Sequence, residues 1–382
     1  MKIALLSEKY TPDFGGLAIS TGRLARLLAA AGHAVRVFAP TLNLPPSERR
    51  TLPSSGVDVT RFGARKRVDD TLADWFETIV EEHRRDPFDI LHAYFLPQAG
   101  FVAAYAGKYL GAPSVVSIRG NDIERAAFDP AKFSHVMYAL QNASAVTTNA
   151  STLARKARAF VEREIFLIPN GIDTELFKPM ARNETLAEML GLGGKTKEER
   201  SAVIGFAGEL REKKGMRALL SGYAQAAKSR PASLLIVGEV RDGEDKKFFD
   251  EFKSANSQLP ITVTGPVPHE DMPAYYALMD VLVHPSLRDG MPNAALEAMA
   301  CGLPVIATPV GGILDALEDG ENGVLVNVND AAALAGKIVE LLDDPQKRAG
   351  LGQRARETVV EKFGLEAELR ANLRVYESLG KR

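Results

Sequence analysis

The segment from Ser286 to Ala300 combines features that suit a polar, negatively charged ligand. It reads SLRDGMPNAALEAMA and directly follows the apolar run Val281–His284. Gly290 permits a tight turn from strand to helix, and Pro292 suits the first helical turn, where no backbone donor is needed. The N-terminal amides of such a helix carry roughly half a unit of positive charge. The spacing therefore predicts a helix start that binds a diphosphate or a polar sugar.

Two carboxylates flank this predicted helix start. Asp289 stands before the helix, and Glu297 is expected about two turns along it. One carboxylate can then meet sugar hydroxyls while the other accepts hydrogen bonds from a ribose. Taken alone, the pair is more typical of a helix-capping aspartate and a solvated helix glutamate. Other segments must decide between these interpretations.

A cationic loop follows a second apolar run, in the segment from Val203 to Gly215. Cations at the carboxyl end of a strand suit a leaving diphosphate, whose developing charge must be met by donors when no metal is bound. Lys214 and Arg211 are the candidates for this role. The alternative is an ordinary solvated basic turn.

A glycine pair, Gly15 and Gly16, separates the first predicted strand from a helix near Ala18. Such a pair lets the backbone approach a phosphate closely. It is not the G-x-G-x-x-G fingerprint of dinucleotide-binding proteins, and a plain flexible turn is an equally good interpretation.

Short apolar runs alternate with longer helical patterns along the whole chain, which predicts the α/β class with parallel sheets buried on both faces. The strands expected in the first half are Ile3–Ser7, Val35–Ala39, Val57–Phe62, Ile90–Ala93, Ser114–Ile118, Ala145–Thr148 and Ile165–Ile168. Those expected in the second half are Val203–Ala207, Ser233–Val237, Ile261–Thr264, Val281–His284, Val305–Ala307 and Val324–Val326. Because the second half repeats the strand and helix pattern of the first, the sequence predicts two doubly wound domains, 1–172 and 173–362, facing each other across a cleft. The stretch 180–201 reads as an exposed connector with a short helix, and 363–382 as an amphipathic helix.

Composition excludes several functional classes. The chain has 382 residues and a formal net charge of -2, so it lacks the basic surface that nucleic-acid binding needs. One cysteine, Cys301, excludes an intramolecular disulfide and fits a reducing compartment. The six histidines lack ligand spacing, so no metal is predicted. No apolar run is long enough to span a membrane, and we expect a cytoplasmic protein with Trp75 packed in its core.

Together, these segments resemble the retaining GT-B glycosyltransferases of family four. That family shares a run written E-x(7)-E followed by E-A-M-A-x-G-x-P-V, and this chain has Asp289 through Val305 in its place. Further matches are Gly15-Gly16, the run 169–173 (PNGID), the Lys-Lys-Gly ending at Gly215, the run 265–268 (GPVP), Gly311-Gly312 and the run 319–323 (DGENG). The resemblance covers nearly the whole chain.

The resemblance implies a donor site in the C-terminal domain for a nucleotide sugar such as UDP- or GDP-hexose. Glu297 would bind the ribose, Lys214 the diphosphate, and the backbone near Val267 the base. Asp289 would contact the sugar, aided by the backbone amides of Gly290, Met291, Pro292 and Asn293. Gly16 would close over the diphosphate. The N-terminal domain would receive the acceptor, and the terminal helix would cross back to it. No enzyme nucleophile is implied, because a diphosphate oxygen would take the acceptor proton.

Three departures from the family pattern affect these expectations. Asp289 replaces the usual first glutamate, so donor preference cannot be transferred. Glu209 stands where arginine is common; we expect it to turn away from the donor and Arg211 to serve the phosphate, because like charges about 4 Å apart would cost several kcal/mol at an effective dielectric near 20. On the acceptor side, Tyr94 and Arg119 each replace a histidine. The acceptor-side candidates are His92, Arg119, Asn121 and Asp122. His92 is equally consistent with a hydrogen-bonded residue at a strand end.

Several alternatives stay open at this stage. The leading hypothesis is a hexosyltransferase that builds a cell-surface glycan or glycolipid. Its rivals are a nucleotide-sugar epimerase or phosphorylase of the same fold, and a nucleotide-sugar-binding protein without turnover. The basic cluster of Arg61, Arg65, Lys66 and Arg67 is either a solvated loop or a contact with anionic lipid at the inner face of a membrane.

Overall fold

The structure, a computed structural model, describes residues 1–13, 15–193 and 200–380. Residues 194–199 of the predicted connector and Phe14 of the glycine turn lie outside the described part of the chain. The chain divides into two compact units: Met1–Asn170 together with Leu365–Arg382, and Gly171–Gly364. Each unit is built on a largely parallel sheet, which confirms the predicted α/β class with two Rossmann-like domains.

The first unit holds an eight-stranded sheet in the order β3-β4-β2-β1-β5-β6-β7-β8. Its strands are β1 Lys2–Ser7, β2 Ala34–Pro46, β3 Arg49–Ser54, β4 Val57–Gly63, β5 Ile90–Tyr94, β6 Ser114–Ile118, β7 Ala145–Thr148 and β8 Phe166–Leu167. Its helices before residue 171 are α1 Gly16–Ala30, α2 Val68–Arg85, α3 Phe101–Leu110, α4 Asn121–Glu124, α5 Pro130–Asn142 and α6 Ser151–Arg158. The chain moves outward from β1 through β2 in one direction and from β5 in the other. The switch point of this sheet therefore lies between β1 and β5.

The central strands of this unit form because apolar side chains cover both faces. Every residue of β5 and β6 is buried, and Trp75 of α2 packs fully buried against Phe62, which confirms its predicted core position. The edge strand β3 was not predicted. It pairs antiparallel with β4, and its residues are all exposed, so it has no apolar signal in the sequence.

The second unit holds a six-stranded parallel sheet in the order β11-β10-β9-β12-β13-β14. Its strands are β9 Ala202–Ala207, β10 Ala232–Val237, β11 Ile261–Val263, β12 Val281–His284, β13 Val305–Ala307 and β14 Val324–Leu325. Its helices are α7 Glu184–Met189, α8 Met216–Ser229, α9 Glu244–Ala255, α10 Met272–Tyr276, α11 Asn293–Ala300, α12 Ala331–Asp343 and α13 Pro345–Lys362. The order of strands reverses between β9 and β12. Open α/β sheets bind ligands at the carboxyl ends of strands beside such a switch point.

The units divide after Asn170 and after Gly364, each two residues from the predicted position. The reason is local pairing. Ile172 donates its backbone N–H to the Phe363 carbonyl and forms a parallel bridge with Gly364, so both chain segments that connect the units belong to the second unit. The final helix, α14 Leu365–Leu379, belongs to the first unit.

Helix α14 packs on the first unit through polar as well as apolar contacts. Arg23 of α1 donates two hydrogen bonds to the buried Glu368 carboxylate, at 2.6 and 3.0 Å. Tyr376 is 1% exposed and packs in the apolar cluster around β1. No helix in the described ranges is both long and apolar enough to cross a membrane.

The basic cluster that follows β4 is largely tied to the protein. The Arg61 guanidinium donates to the backbone carbonyls of Tyr10 and Thr11 and pairs with Asp13. Arg65 pairs with Asp74 at 2.6 Å. Arg67 lies 4.0 Å from Asp69, so three of the four cations have carboxylate partners in this unit, and the contact with anionic lipid stays a prediction.

Candidate active site

Two glycine-containing loops meet at the carboxyl ends of β9 and β12. Gly215 has a φ of +76°, and a Cβ there would lie 1.9 Å from the Pro285 carbonyl oxygen, so only glycine fits. The Leu287 backbone N–H donates to the Lys213 carbonyl at 3.0 Å. The cationic loop and the loop before α11 are thus fixed to each other through their backbones.

A third loop, which contains Gly311 and Gly312, packs against the loop before α11. Gly311 has a φ of +64°, and a Cβ on it would lie 2.0 Å from the Asp289 carbonyl oxygen. The Gly312 N–H donates to the Gly290 carbonyl at 2.5 Å. Because these glycines permit such close contact, the backbone of Asp289 and Gly290 is held in a fixed position.

At the junction of these loops, Lys214 and Asp289 form an ion pair. The Lys214 Nζ lies 2.5 Å from Asp289 Oδ2, and His284 Nε2 lies 3.2 Å from the same oxygen. The buried Ser286 hydroxyl also contacts His284 Nε2, at 3.0 Å. The structure therefore brings together two of the predicted catalytic residues and adds His284, which the sequence reasoning missed.

The electrostatics of this group favour the ionised carboxylate. Burial raises the pKa of Asp289, but Lys214 and His284 outweigh it and hold the pKa well below its ordinary value. Burial also lowers the pKa of His284, which favours a neutral ring. Asp289 is thus an ionised hydrogen-bond acceptor near neutral pH.

Glu209 and Arg211 form a second pair on the cationic loop. The Arg211 guanidinium lies 3.0 Å from a Glu209 carboxylate oxygen. The arginine two residues later therefore neutralises the charge of Glu209, which the sequence interpretation did not include, and the orientation of Glu209 relative to a donor stays a prediction. The Arg211 Nε is buried and has no hydrogen-bond partner among the described residues.

Helix α11 begins one residue later than predicted. Asn293 is its first residue, and Pro292 occupies the N-cap position. Two of the four expected backbone donors are unavailable: proline has no N–H, and the Gly290 N–H donates to the Asp289 carboxylate at 2.9 Å. Met291 is buried beneath the loop, where its side chain approaches Gly312.

Glu297 is the fifth residue of α11 rather than two turns along it. It is 6% exposed, and both oxygens have partners at 2.9 Å: His269 Nε2 and the Tyr276 hydroxyl. The predicted solvated glutamate is therefore excluded. Val267, two residues before His269, is partly buried against the apolar cluster that includes Tyr276.

In the first unit, the acceptor-side candidate His92 forms its hydrogen bonds within the protein. His92 is 0% exposed; its Nδ1 lies 2.5 Å from the Tyr376 hydroxyl and its Nε2 lies 2.8 Å from the Ser117 hydroxyl. Burial lowers its pKa to about 3. The expected contact between His92 and an acceptor is corrected, because both ring nitrogens are occupied.

Asp122 holds a turn. Its carboxylate accepts backbone N–H groups from Arg119, Gly120 and Ile123 at 2.8 to 3.1 Å. Burial raises its pKa to about 6, and these donors act against the rise. Its neighbour Asn121 starts α4 and is exposed.

The two departures on this side contact each other. The Arg119 guanidinium lies 3.8 Å from the centre of the buried Tyr94 ring and donates to Asn170 Oδ1 at 2.8 Å. A tyrosine face is a good partner for arginine, so one contact accounts for both replacements. The Arg119 Nε is buried without a partner among the described residues.

The glycine turn of the first unit contains a backbone angle that favours glycine, and its approach to a phosphate stays a prediction. Gly15 has a φ of +118°, and Gly16 is the first residue of α1. A Cβ at either position would meet no atom within 4 Å, so Gly15 is needed for its backbone angle and not for packing.

Glu8, directly after β1, is a polar residue that the sequence reasoning missed. Its Oε1 is buried and lacks a partner among the described residues, and burial raises its pKa to about 7. Its position at a strand's carboxyl end was the available signal. Within the described ranges, no three His, Cys, Asp or Glu side chains gather closely enough to hold a metal ion.

Comparison with known proteins identifies the class. Residues 14–176 match the family described as Glycosyltransferase Family 4, and residues 201–344 match that described as Glycosyl transferases group 1. The chain is 28% identical over 388 residues to the D-inositol 3-phosphate glycosyltransferase of Pseudarthrobacter chlorophenolicus, which covers 93% of this chain and 90% of that protein.

Two solved structures share the fold over the whole chain. Sucrose-phosphate synthase from Thermosynechococcus elongatus superposes with a TM-score of 0.82 at 25% identity, covering 99% of this chain and 98% of that one. Anabaena Alr3699/HepE in complex with UDP-glucose gives a TM-score of 0.79 at 21% identity, covering 99% and 100%.

The protein is a glycosyltransferase of the GT-B fold that uses a nucleotide sugar. It belongs to the retaining family-four enzymes, also called group 1.

Proposed function

We propose that the protein transfers a hexosyl group, with retention of configuration, from a nucleoside diphosphate hexose to an acceptor hydroxyl in the synthesis of a surface glycan or glycolipid. The observation that carries this proposal is the Lys214–Asp289 pair, fixed by three loops at the switch point of the second unit. UDP-glucose, which is bound in the Anabaena HepE structure, is the first donor to test.

The described contacts support a role for each donor-site residue. Lys214 and Arg211 supply cations for the diphosphate, and the ionised Asp289 accepts hydroxyls of the hexose. Glu297, oriented by Tyr276 and His269, accepts from the ribose. The backbone near Val267 lies against the base.

Donor binding must rearrange the ion pairs of the free protein. Lys214 now binds a single carboxylate at 2.5 Å, whereas a diphosphate offers more negative charge and several oxygens. Charge-assisted bonds of this kind are roughly twice as strong as neutral ones. We expect Lys214 to turn toward the diphosphate and to leave the Asp289 carboxylate free for the sugar.

The chemical step needs no nucleophile from the protein. The bond between the anomeric carbon and the diphosphate oxygen breaks, the acceptor oxygen bonds to that carbon from the same face, and its proton passes to a diphosphate oxygen. Lys214 and Arg211 stabilise the negative charge that develops on the leaving group, which is the main catalytic contribution of preorganised donors. We therefore propose that the reaction requires no metal ion.

The test is nucleotide release. With UDP-glucose and an acceptor panel, the wild-type chain should release UDP at a rate that EDTA does not change, and the product should keep the α configuration by NMR. Binding of UDP-glucose without release across the panel would instead support a binding protein. Donor hydrolysis or epimerisation without any acceptor would support the epimerase or phosphorylase alternative.

A further inference from the structure

A cavity of about 510 Å³ opens in the first unit, wholly outside the donor-site loops. Its walls come from the segments that follow β1, β5 and β6, including Glu8, Phe95, Gln98 and Arg125. Strands β1 and β5 flank the switch point of this sheet, where open α/β sheets bind ligands. Position and size therefore both suit a small-molecule site.

The cavity contains a polar group that the protein leaves unsatisfied. The Gln98 backbone N–H acts to lower the pKa of Glu8, but Glu8 Oε1 is buried and has no hydrogen-bond partner among the described residues. Buried polar atoms are nearly always paired, because leaving one unpaired costs about 1–3 kcal/mol. An unpaired oxygen in a cavity wall points to a ligand that supplies the missing hydrogen bond.

Burial, with help from the nearby Asp122, raises the pKa of Glu8 to about 7, while Lys132 and Lys9 act in the opposite direction. Near neutral pH this group exists in both protonation states. A ligand hydroxyl suits either state, because it can donate to the carboxylate or accept from the carboxylic acid.

Two cations line the same cavity. Lys132 shares its charge with Asp129 at 2.7 Å. Arg125 is exposed and forms no ion pair with any residue in the described ranges. A guanidinium of this kind is the preferred partner of a phosphate or carboxylate, which it can bind through two parallel hydrogen bonds.

We propose that this cavity binds the acceptor, and that the acceptor is a polyhydroxylated anion whose hydroxyl contacts Glu8 while its phosphate or carboxylate contacts Arg125. This inference rests on the proposed function, since it assigns the second substrate of the same reaction. It identifies Glu8 and Arg125 as the residues that select the acceptor.

The test is binding of three probes to the full chain by calorimetry: D-myo-inositol 3-phosphate, myo-inositol and glucosamine. The anionic probe should bind at least 10-fold more tightly than the uncharged one, and the cationic probe most weakly. Glu8→Gln should weaken binding of both inositol probes about 10-fold, and Arg125→Ala should weaken only the phosphorylated probe by about 10-fold. Tighter binding of glucosamine than of the inositol phosphate, or no binding either of the three soluble probes or of the inositol-containing vesicles described below, overturns the proposal.

Matched variants control for charge and folding. Glu162→Gln and Arg158→Ala remove exposed charges of the same unit outside the cavity and should leave every probe affinity unchanged. An equal loss in Arg158→Ala and Arg125→Ala would mean a general charge effect and would contradict the assignment. UDP affinity should be unchanged in Glu8→Gln. Absence of UDP binding to the wild-type chain would count against the proposed function and not against the cavity.

A further arm separates the two sources of such an acceptor. Phosphatidylcholine vesicles with phosphatidylinositol present an inositol phosphodiester on a lipid, and vesicles of phosphatidylcholine alone are the control. Binding to the soluble probe identifies a free metabolite, and binding only to the inositol-containing vesicles identifies a lipid head group. Either result supports the proposal if Arg125→Ala weakens that binding by about 10-fold or more, and binding that Arg125→Ala leaves unchanged overturns it.

Discussion

The carboxyl ends of the two sheets differ in how many of their buried polar atoms have hydrogen-bond partners. In the second unit, the cations and acids are already joined in pairs: Lys214 with Asp289, Arg211 with Glu209, and Glu297 with Tyr276 and His269. In the first unit, four buried polar atoms without described partners follow β1, β6 and β7, namely Glu8 Oε1, Arg119 Nε, Asn149 Oδ1 and Thr152 Oγ1, whereas the donor-site loops of the second unit have one such atom, Arg211 Nε. The difference indicates two modes of recognition. Under the proposed function, a donor diphosphate displaces internal ion pairs, whereas an acceptor supplies hydrogen bonds that are missing.

The largest expected effect comes from removing the cation that meets the diphosphate. Lys214→Ala should lower kcat/KM for UDP-glucose by about 1000-fold, because loss of one preorganised donor typically costs 100- to 1000-fold and this variant also leaves Asp289 without its partner. Steady-state kinetics measures it. Lys228→Ala, which removes an exposed lysine of the same unit, should change the ratio less than 2-fold. A loss below about 10-fold in a folded Lys214→Ala protein would contradict the donor assignment.

The second effect tests whether the close contact between Gly311 and the Asp289 carbonyl is needed for stability and turnover. Gly311→Ala should destabilise the protein by about 3 kcal/mol and abolish turnover, because strain at positive φ adds to overlap with the Asp289 carbonyl. Gly320→Ala is the matched control: its φ is +78° with no atom within 4 Å, so only strain of about 1 kcal/mol is expected, with turnover retained. Urea unfolding and kinetics measure both. Equal losses in the two variants would mean that the contact does not matter.

The third effect concerns the buried His92 under α14. Its folded pKa of about 3 lies below the unfolded value of 6.5, so between those pH values the unfolded chain binds one proton more. Stability should therefore fall by about 1.4 kcal/mol per pH unit on acidification through this window. In His92→Gln this contribution is removed, and the difference between variant and wild type should shrink as pH falls from 6.5 to 4. Parallel pH curves would show that His92 is protonated in the folded protein.

The smallest effect tests the contact between the two family departures. Arg119→Lys keeps the charge but loses the planar stacking on Tyr94, so we expect a loss of about 1 kcal/mol in stability. Arg84→Lys is the control, because Arg84 lies 5.8 Å from the centre of the exposed Tyr109 ring and should cost close to nothing. Thermal unfolding measures both variants. A loss in Arg84→Lys as large as in Arg119→Lys would contradict a specific role for the Tyr94 contact.

The sequence allowed most of the fold to be predicted because parallel strands are continuous apolar runs. The run Ser114–Ile118 matches β6 residue for residue, and Ala145–Thr148 matches β7. Strand β3 escaped prediction because it is a polar, exposed edge that pairs only with β4. Hydrogen bonding to one neighbour, and not burial, defines it.

The donor site was partly predictable for a different reason. The positions of Lys214, Asp289 and Glu297 relative to the apolar runs predict the loops and the helix that carry them. They do not predict which charged groups form ion pairs with each other. Glu209 was expected to turn away since only repulsion was considered, and its pairing with Arg211 needed the loop conformation. Glu8 carries no motif at all, and its importance depends on Gln98, 90 positions further along the chain.

The most direct test of the account is a crystal structure of the chain with UDP-glucose. We expect the diphosphate to contact Lys214 and Arg211, with Asp289 released from Lys214 and bonded to hydroxyls of glucose. A ligand bound elsewhere, or one bound here with the Lys214–Asp289 pair still closed at 2.5 Å, would contradict it.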